Sequence, residues 1–180
     1  GDLIKFRENG WDRDLAAHRK RGGHVVGICG GYQMLGRMVR DPDGIEGSVR
    51  EAEGLGLLDI ETVMEPEKTV RNSSARSVQF GLLLKGYEIH LGRTTGTDTA
   101  RPSTILNGAQ DGAVSADGKV MGTYLHGLFS ADAFRAAYLE SLGVKGGGID
   151  YRAEVEKALD EVAAELERHL DCDAIFGLAR

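Results

Sequence analysis

Cys29 sits in Gly27-Ile28-Cys29-Gly30-Gly31, directly after the short apolar run His24-Val25-Val26-Gly27-Ile28. A strand that turns sharply into a helix at a cysteine forms an elbow, which strains the backbone and projects the thiol outward. Such a turn demands small neighbours. The helix expected to follow, from Tyr32-Gln33-Met34, would lower the thiol pKa and present free amides to a developing oxyanion. A lone free cysteine is more often a small buried hydrophobe, but the three glycines shift the balance toward a nucleophile. Cys172, in Leu170-Asp171-Cys172-Asp173, is a poor candidate because its flanking carboxylates oppose a thiolate.

A cysteine nucleophile needs a base, which can lie far away in sequence. Of the five histidines, His18 and His169 fall among charges on helical segments, and His24 opens a strand. His126 closes a well-formed strand just before Gly127, where a catalytic loop would start, and is the first candidate. His90, inside Gly86-Tyr87-Glu88-Ile89-His90-Leu91-Gly92, is the second. Glu88 in that stretch could pair with a histidine or an ammonium ligand, or face solvent from a strand.

The elements that must position these groups read as α/β. Trp11 to Gly22-Gly23 is expected to be a helix, residues 24–28 a buried strand, and Tyr32 to Val39 a helix again. Strand, tight turn and helix in succession are the unit of an α/β sheet. Asp41 to Gly56 reads as surface loop, Leu57 to Met64 as a strand, and Lys68 to Gly92 as further strands. Gly96 to Gly112 is polar and expected to be a mobile loop. Ala113 to Leu125, around Asp117-Gly118, is a hairpin. Ser130 is expected to cap a helix ending at Gly143, and Gly146-Gly147-Gly148 to break the chain. Val155, Leu159, Val162, Leu166 and Leu170 form the apolar stripe of a last helix. Residues 1–148 are thus expected to form one domain, with residues 149–180 an amphipathic helix packing on it.

Composition narrows the class. With 28 acidic against 22 basic side chains in 180 residues, a nucleic-acid partner is not expected. No apolar run reaches the ~20 residues of a membrane helix, and no leader-like segment opens the chain. Two widely separated cysteines exclude a disulfide framework and a Cys-rich metal site. The expected compartment is the reducing cytoplasm, with no membrane partner.

Gly27-Ile28-Cys29-Gly30-Gly31-Tyr32-Gln33-Met34-Leu35-Gly36 resembles the nucleophile motif of class I (triad-type) glutamine amidotransferase domains. Further stretches follow in order: Glu53-Gly54-Leu55-Gly56-Leu57-Leu58, Glu67-Lys68-Thr69-Val70-Arg71-Asn72, Gly86 to Thr94, Gly112-Ala113-Val114-Ser115, and Gly122 to Phe129. With them, the chain from about Leu3 onward is similar to the C-terminal domain of the cobyric acid synthase family. The resemblance implies a class I glutaminase-like layered sandwich with a mixed, mainly parallel sheet. It implies Cys29 as the nucleophile on the carboxamide of glutamine, and His126 as the base that activates the thiol and protonates the departing ammonia. The Gly30 amide would be an oxyanion donor, Gln33 would help to seat the substrate, and Tyr87, Glu88 and His90 would lie near the site. A glutamyl thioester on Cys29 would hydrolyse to glutamate. The ammonia would pass to a synthetase domain that uses ATP and Mg to amidate adenosyl-cobyrinic acid a,c-diamide. No cofactor and no metal are expected in this chain, and its partners are glutamine and, through that domain, the corrinoid.

Other readings share these residues. A cobyrinic acid a,c-diamide synthase has the same fold but usually lacks the Tyr-Gln-Met elbow. A peptidoglycan lipid-precursor amidotransferase has a similar elbow but lacks the Glu-Lys-Thr and Tyr-Glu-Ile-His-x-Gly stretches. A non-catalytic remnant is the reading from a different class. Two departures from the family pattern bear on the site. Many triad enzymes carry a Glu two residues after the catalytic His, whereas this chain has Leu128, so the residue that orients His126 is unassigned. The chain also opens at Gly1 and shows no phosphate-binding loop. It is therefore expected to lack an N-terminal ATP-binding domain, together with the early strands and the loop that carries a second oxyanion donor.

Overall fold

The computed structural model describes residues 1–144 and 148–178, so the glycine run expected to break the chain lies largely outside the described residues. The chain forms two compact units, Gly1–Leu128 and Phe129–Arg180. In the first, helices α1 (Asp2–Glu8) and α2 (Trp11–Lys20) are joined through Gly10 at φ 76°. Strand β1 (Val25–Ile28) leads into α3 (Gly30–Met34). There follow β2 (Met38–Arg40), β3 (Glu51–Glu53), β4 (Glu61–Val63), β5 (Thr69–Ser77), β6 (Leu83–His90), β7 (Arg93–Thr95), β8 (Thr104–Leu106), β9 (Ala109–Asp111), β10 (Ala113–Val114) and β11 (Val120–Thr123).

These strands make three sheets, in the orders β1-β11-β10, β3-β2-β4-β7 and β6-β5-β8-β9. The class is mixed α/β with mixed sheets, as the sequence implies. Parallel pairing, however, is confined to β1 with β11 and β2 with β4, and the other described pairs are antiparallel. For three of these antiparallel pairs the reason is local. β5–β6, β8–β9 and β10–β11 are joined by short connections, which only antiparallel strands can accept.

The core packs Tyr32 and Leu35 of the elbow helix region against Leu58, Ile60, Ala113, Val120 and Tyr124. Tyr32 and Tyr124 meet edge to face at 5.2 Å, a favoured aromatic geometry. The Tyr32 ring also lies directly over Gly122, where an added Cβ would sit 1.9 Å from Tyr32 Cδ2.

Two local expectations are corrected. The helix after the elbow ends at Met34. Gly36 passes against the Ile60 carbonyl, the Arg37 amide donates to that carbonyl at 2.8 Å, and Met38–Arg40 become a strand between β3 and β4. The segment from Gly96 to Gly112 is ordered, with a short 3-10 turn (Thr97–Ala100) and then β8 and β9. Its polar side chains bond inward. Asp98 accepts from the Asp59 amide at 2.8 Å, Ser103 donates to the Gly122 carbonyl at 2.6 Å, and Thr104 donates to Asp111 at 2.8 Å.

In the second unit, α4 (Asp132–Ser141) starts behind Ala131 rather than at Ser130. Asp132 accepts hydrogen bonds from Arg135 and from the Tyr151 amide, which ties α4 to α5 (Tyr151–His169). Asp150 caps α5 by accepting from the Ala153 amide at 2.9 Å, and a short α6 (Cys172–Leu178) follows. The five-residue stripe expected from the periodicity lies on α5 and the residue after it. Among the described residues, no helix is long and apolar enough to cross a membrane.

Gly122→Ala is expected to destabilise the first unit by about 1–3 kcal/mol, the usual cost of overpacking, because the new methyl displaces the Tyr32 ring. Urea unfolding of the variant against wild type measures this, and an unchanged midpoint would contradict the packing described.

Candidate active site

The elbow is present and strained. Cys29 has φ 55° and ψ −118°, a region that a non-glycine residue adopts only when its surroundings enforce it. Its amide donates to the Thr123 carbonyl at 3.0 Å, and its carbonyl accepts from the Gln33 amide at 3.1 Å. The glycines around it serve different ends. A Cβ at Gly27 would lie 2.6 Å from Leu35 Cδ1 and 2.8 Å from the Gly31 carbonyl group, so the turn needs that glycine. Gly30 and Gly31 have open space where a Cβ would go, so sterics do not require them.

The thiol donates to the Ile89 carbonyl at 3.3 Å. Its pKa is raised, not lowered as the sequence suggested. Burial is the main cause and the Glu46 charge adds to it, while the Gly30 amide works in the other direction. A helix of five residues does not outweigh the desolvation.

β6 lies at the edge of its sheet, and its outer side holds both candidate groups. The Tyr87 amide donates to the His126 carbonyl at 3.3 Å, and the His126 amide donates to the Tyr87 carbonyl at 2.8 Å. The two rings stack with centroids 4.7 Å apart and planes 6° from parallel. Two residues along the same strand, Ile89 receives the thiol. At Gly86 a Cβ would stand 1.9 Å from the His126 carbonyl oxygen, so close approach of the two chains requires glycine there.

His90 lies flat on Tyr124, with centroids 3.8 Å apart, and its Nε2 is 3.8 Å from Glu88 Oε2. Glu88 does not face solvent. It is 4% exposed and accepts from Arg71 at 2.7 and 3.2 Å, from Ser73 at 2.7 Å and from Asn107 at 3.3 Å. Burial pushes its pKa up, but the Arg71 and Ser73 hydrogen bonds and the nearby positive charge prevail and hold it below the ordinary value. The Gln33 amide nitrogen donates to the Leu91 carbonyl at 3.0 Å and to the Tyr124 hydroxyl at 3.2 Å. From there a hydroxyl chain runs through Thr94 to Thr62.

These pieces border a cavity of about 790 Å³. Cys29, Gly30, Gln33, His90 and His126 line it, with Glu46 and Lys68 also in its wall. Tyr87 and Glu88 are not in the lining; each stands behind a histidine that is. His90 Nδ1 and His126 Nε2 are buried without a hydrogen-bond partner among the described residues. Buried polar atoms are normally paired, and these two belong to histidines that line the same cavity. Leu128 is fully buried, and among the described residues no carboxylate lies within ion-pair distance of His126.

Sequence reasoning missed Gly86, Glu46, Lys68 and Tyr124 as parts of the site. Tyr124 was within reach, because residues 124 and 126 share a face when a strand is continued at period two. The Ile89 carbonyl has no residue-type signature at all.

Over residues 1–134 the chain matches the family of CobB/CobQ-like glutamine amidotransferase domains. The chain belongs to this family. It is 84% identical over its whole length to a cobyric acid synthase of Mesorhizobium japonicum, and 65% identical over 98% of its length to that of Rhizobium johnstonii. It spans 37% and 36% of those two proteins, about a third of the length of the curated relatives it matches. A solved structure, PurLQS from Thermotoga maritima, is a more remote likeness, with 18% identity and a TM-score of 0.46 over 82% of this chain and 68% of that chain. For an amidotransferase domain of this family, the elbow cysteine and the two histidines are therefore grouped at one cavity.

The Glu88 cluster has a pH signature. Its folded pKa lies below the ordinary glutamate value of 4.5, so the unfolded chain takes up the proton first as pH falls. The stability it contributes is present above pH 4.5 and is lost as pH drops through the lower, folded value. Glu88→Gln is expected to flatten this acid limb in a plot of urea midpoint against pH. A limb as steep as wild type would show that the carboxylate is not held in this way.

Proposed function

We propose that the cavity hydrolyses glutamine through a thioester on Cys29 and supplies ammonia for an amidation. The observation that carries this reading is a strained elbow thiol sharing a cavity with an unpartnered, buried His126 Nε2. A thiol whose pKa is raised needs a base at the moment of attack, and we assign that role to His126, which lines the same cavity. It takes the thiol proton as sulfur bonds to the side-chain carbonyl carbon of glutamine. The Gly30 amide, already directed toward the sulfur, stabilises the oxyanion. Collapse breaks the carbon–nitrogen bond, and His126 returns the proton to the leaving ammonia. Water, deprotonated by the same imidazole, then cleaves the thioester to glutamate and free thiol. Glu46 and Lys68, of opposite charge in one wall, suit the α-ammonium and α-carboxylate of a free amino acid, with Gln33 contributing to the seat.

The names of the relatives reported above extend the proposal. The ammonia would serve a cobyric acid synthase, in which an ATP- and Mg-dependent synthetase part amidates a corrinoid carboxylate in cobalamin biosynthesis. The segment 1–148 would be the glutaminase domain.

A diazoketone that mimics glutamine tests the site. Intact mass and peptide mapping are expected to place one adduct on Cys29, with protection by glutamine. An adduct on Cys172 alone would remove Cys29 as the nucleophile. Glutamate release should fall at least 10³-fold in Cys29→Ser and at least 10²-fold in His126→Ala. If His90→Ala proves the more damaging change, the base is His90.

A further inference from the structure

We infer that Tyr87 is the positioning residue for His126, its ring fixing the imidazole plane where other class I domains use a carboxylate. The inference rests on the glutaminase reading and names how its base is held. A histidine ring turns broadly about its outer torsion, so a base at a strand end needs something to stop that rotation. The usual device is a hydrogen bond from the second ring nitrogen to a carboxylate or carbonyl. Here position 128 is a buried leucine, and among the described residues no carboxylate lies within ion-pair distance of His126. Three observations on β6 supply the alternative. The bridge between Tyr87 and His126 pins the histidine backbone. The nearly parallel stack at 4.7 Å sets the phenol ring against one face of the imidazole, where it opposes turning of that ring. Gly86 admits the His126 carbonyl where a Cβ would lie 1.9 Å away, so the strand carrying the ring can reach it.

The Tyr87 side chain is not part of the buried core. It is 48% exposed, so core burial does not account for an aromatic residue there. Among the described residues its hydroxyl makes no hydrogen bond, and its ring contact is His126. A flat ring is therefore the required property, and the hydroxyl is not.

The test uses the chain extended to the full length of its relatives, with glutamate release as the readout. Tyr87→Leu is expected to lower kcat roughly 10- to 100-fold, the scale of a misplaced catalytic group, with KM within about twofold of wild type. Tyr87→Phe is expected to restore kcat to within about threefold. Tyr87→Thr, a strand former without a ring, should behave like the leucine variant, so the effect does not rest on one substitution. A leucine variant with wild-type kcat, a rise confined to KM, or a phenylalanine variant as impaired as leucine would each overturn the proposal. Loss of folding in both ringless variants, seen by circular dichroism, would overturn it too, since Tyr87 would then serve the fold. Cys29→Ser in the same assay separates the two levels. Activity surviving there removes the glutaminase reading, whereas an inactive Cys29→Ser beside a fully active Tyr87→Leu removes the positioning role alone.

Discussion

Parallel pairing of β1 with β11, in register from Val25↔Val120 to Ile28↔Thr123, brings the ends of two distant chain segments to the same edge of one sheet. Cys29 follows directly on one strand, and His126 lies three residues beyond the other. The Cys29 amide continues the ladder to the Thr123 carbonyl, which helps to hold the elbow at a φ that a cysteine would otherwise avoid. The outer side of β6 then spans both segments, receiving the thiol at Ile89 and the histidine at Tyr87. The spacing of the two groups is set by backbone, with few side chains between them. At Gly27 and Gly86 an added Cβ would meet backbone atoms, so larger residues there would have to move the main chain, whereas at Gly122 it would meet the Tyr32 ring.

How much of this could be read in the sequence follows from how local each feature is. The elbow was legible because glycines around a cysteine after an apolar run are a local pattern with one economical meaning. The strand before His126 was legible through the Asp-Gly turn and the alternation that follows it, although it ends at Thr123 and not at the histidine. The direction of the thiol pKa was not, because it depends on burial by segments far along the chain. The region from Gly96 to Gly112 misled because its polar residues satisfy one another indoors: Ser103, Thr104 and Asp98 read as loop residues until their partners are known. The parallel bias expected from the family pattern gave way to antiparallel pairing wherever neighbouring strands were joined by short turns.

Two acidic side chains show how environment separates identical chemistry. Glu88 sits beside the Arg71 guanidinium and the Ser73 hydroxyl and stays charged more easily than in water. Asp111 has hydroxyl donors from Thr104 and Thr123 but no cation, so burial dominates and raises its pKa. The first anchors the strand that faces the cavity, and the second joins β8, β9 and β11 beneath it. A domain with a modest apolar core thus relies on buried polar groups, and each must find its partners for the sheets to close.

The hydrogen bond from the Cys29 thiol to the Ile89 carbonyl has a consequence for the life of the protein in an oxidising burst. Peroxide attacks thiolate and spares thiol, so a cysteine whose proton is retained by burial and engaged with a backbone oxygen climbs the ladder to sulfenic and sulfinic acid slowly. Burial and the bond to the backbone oxygen thus favour the reduced thiol.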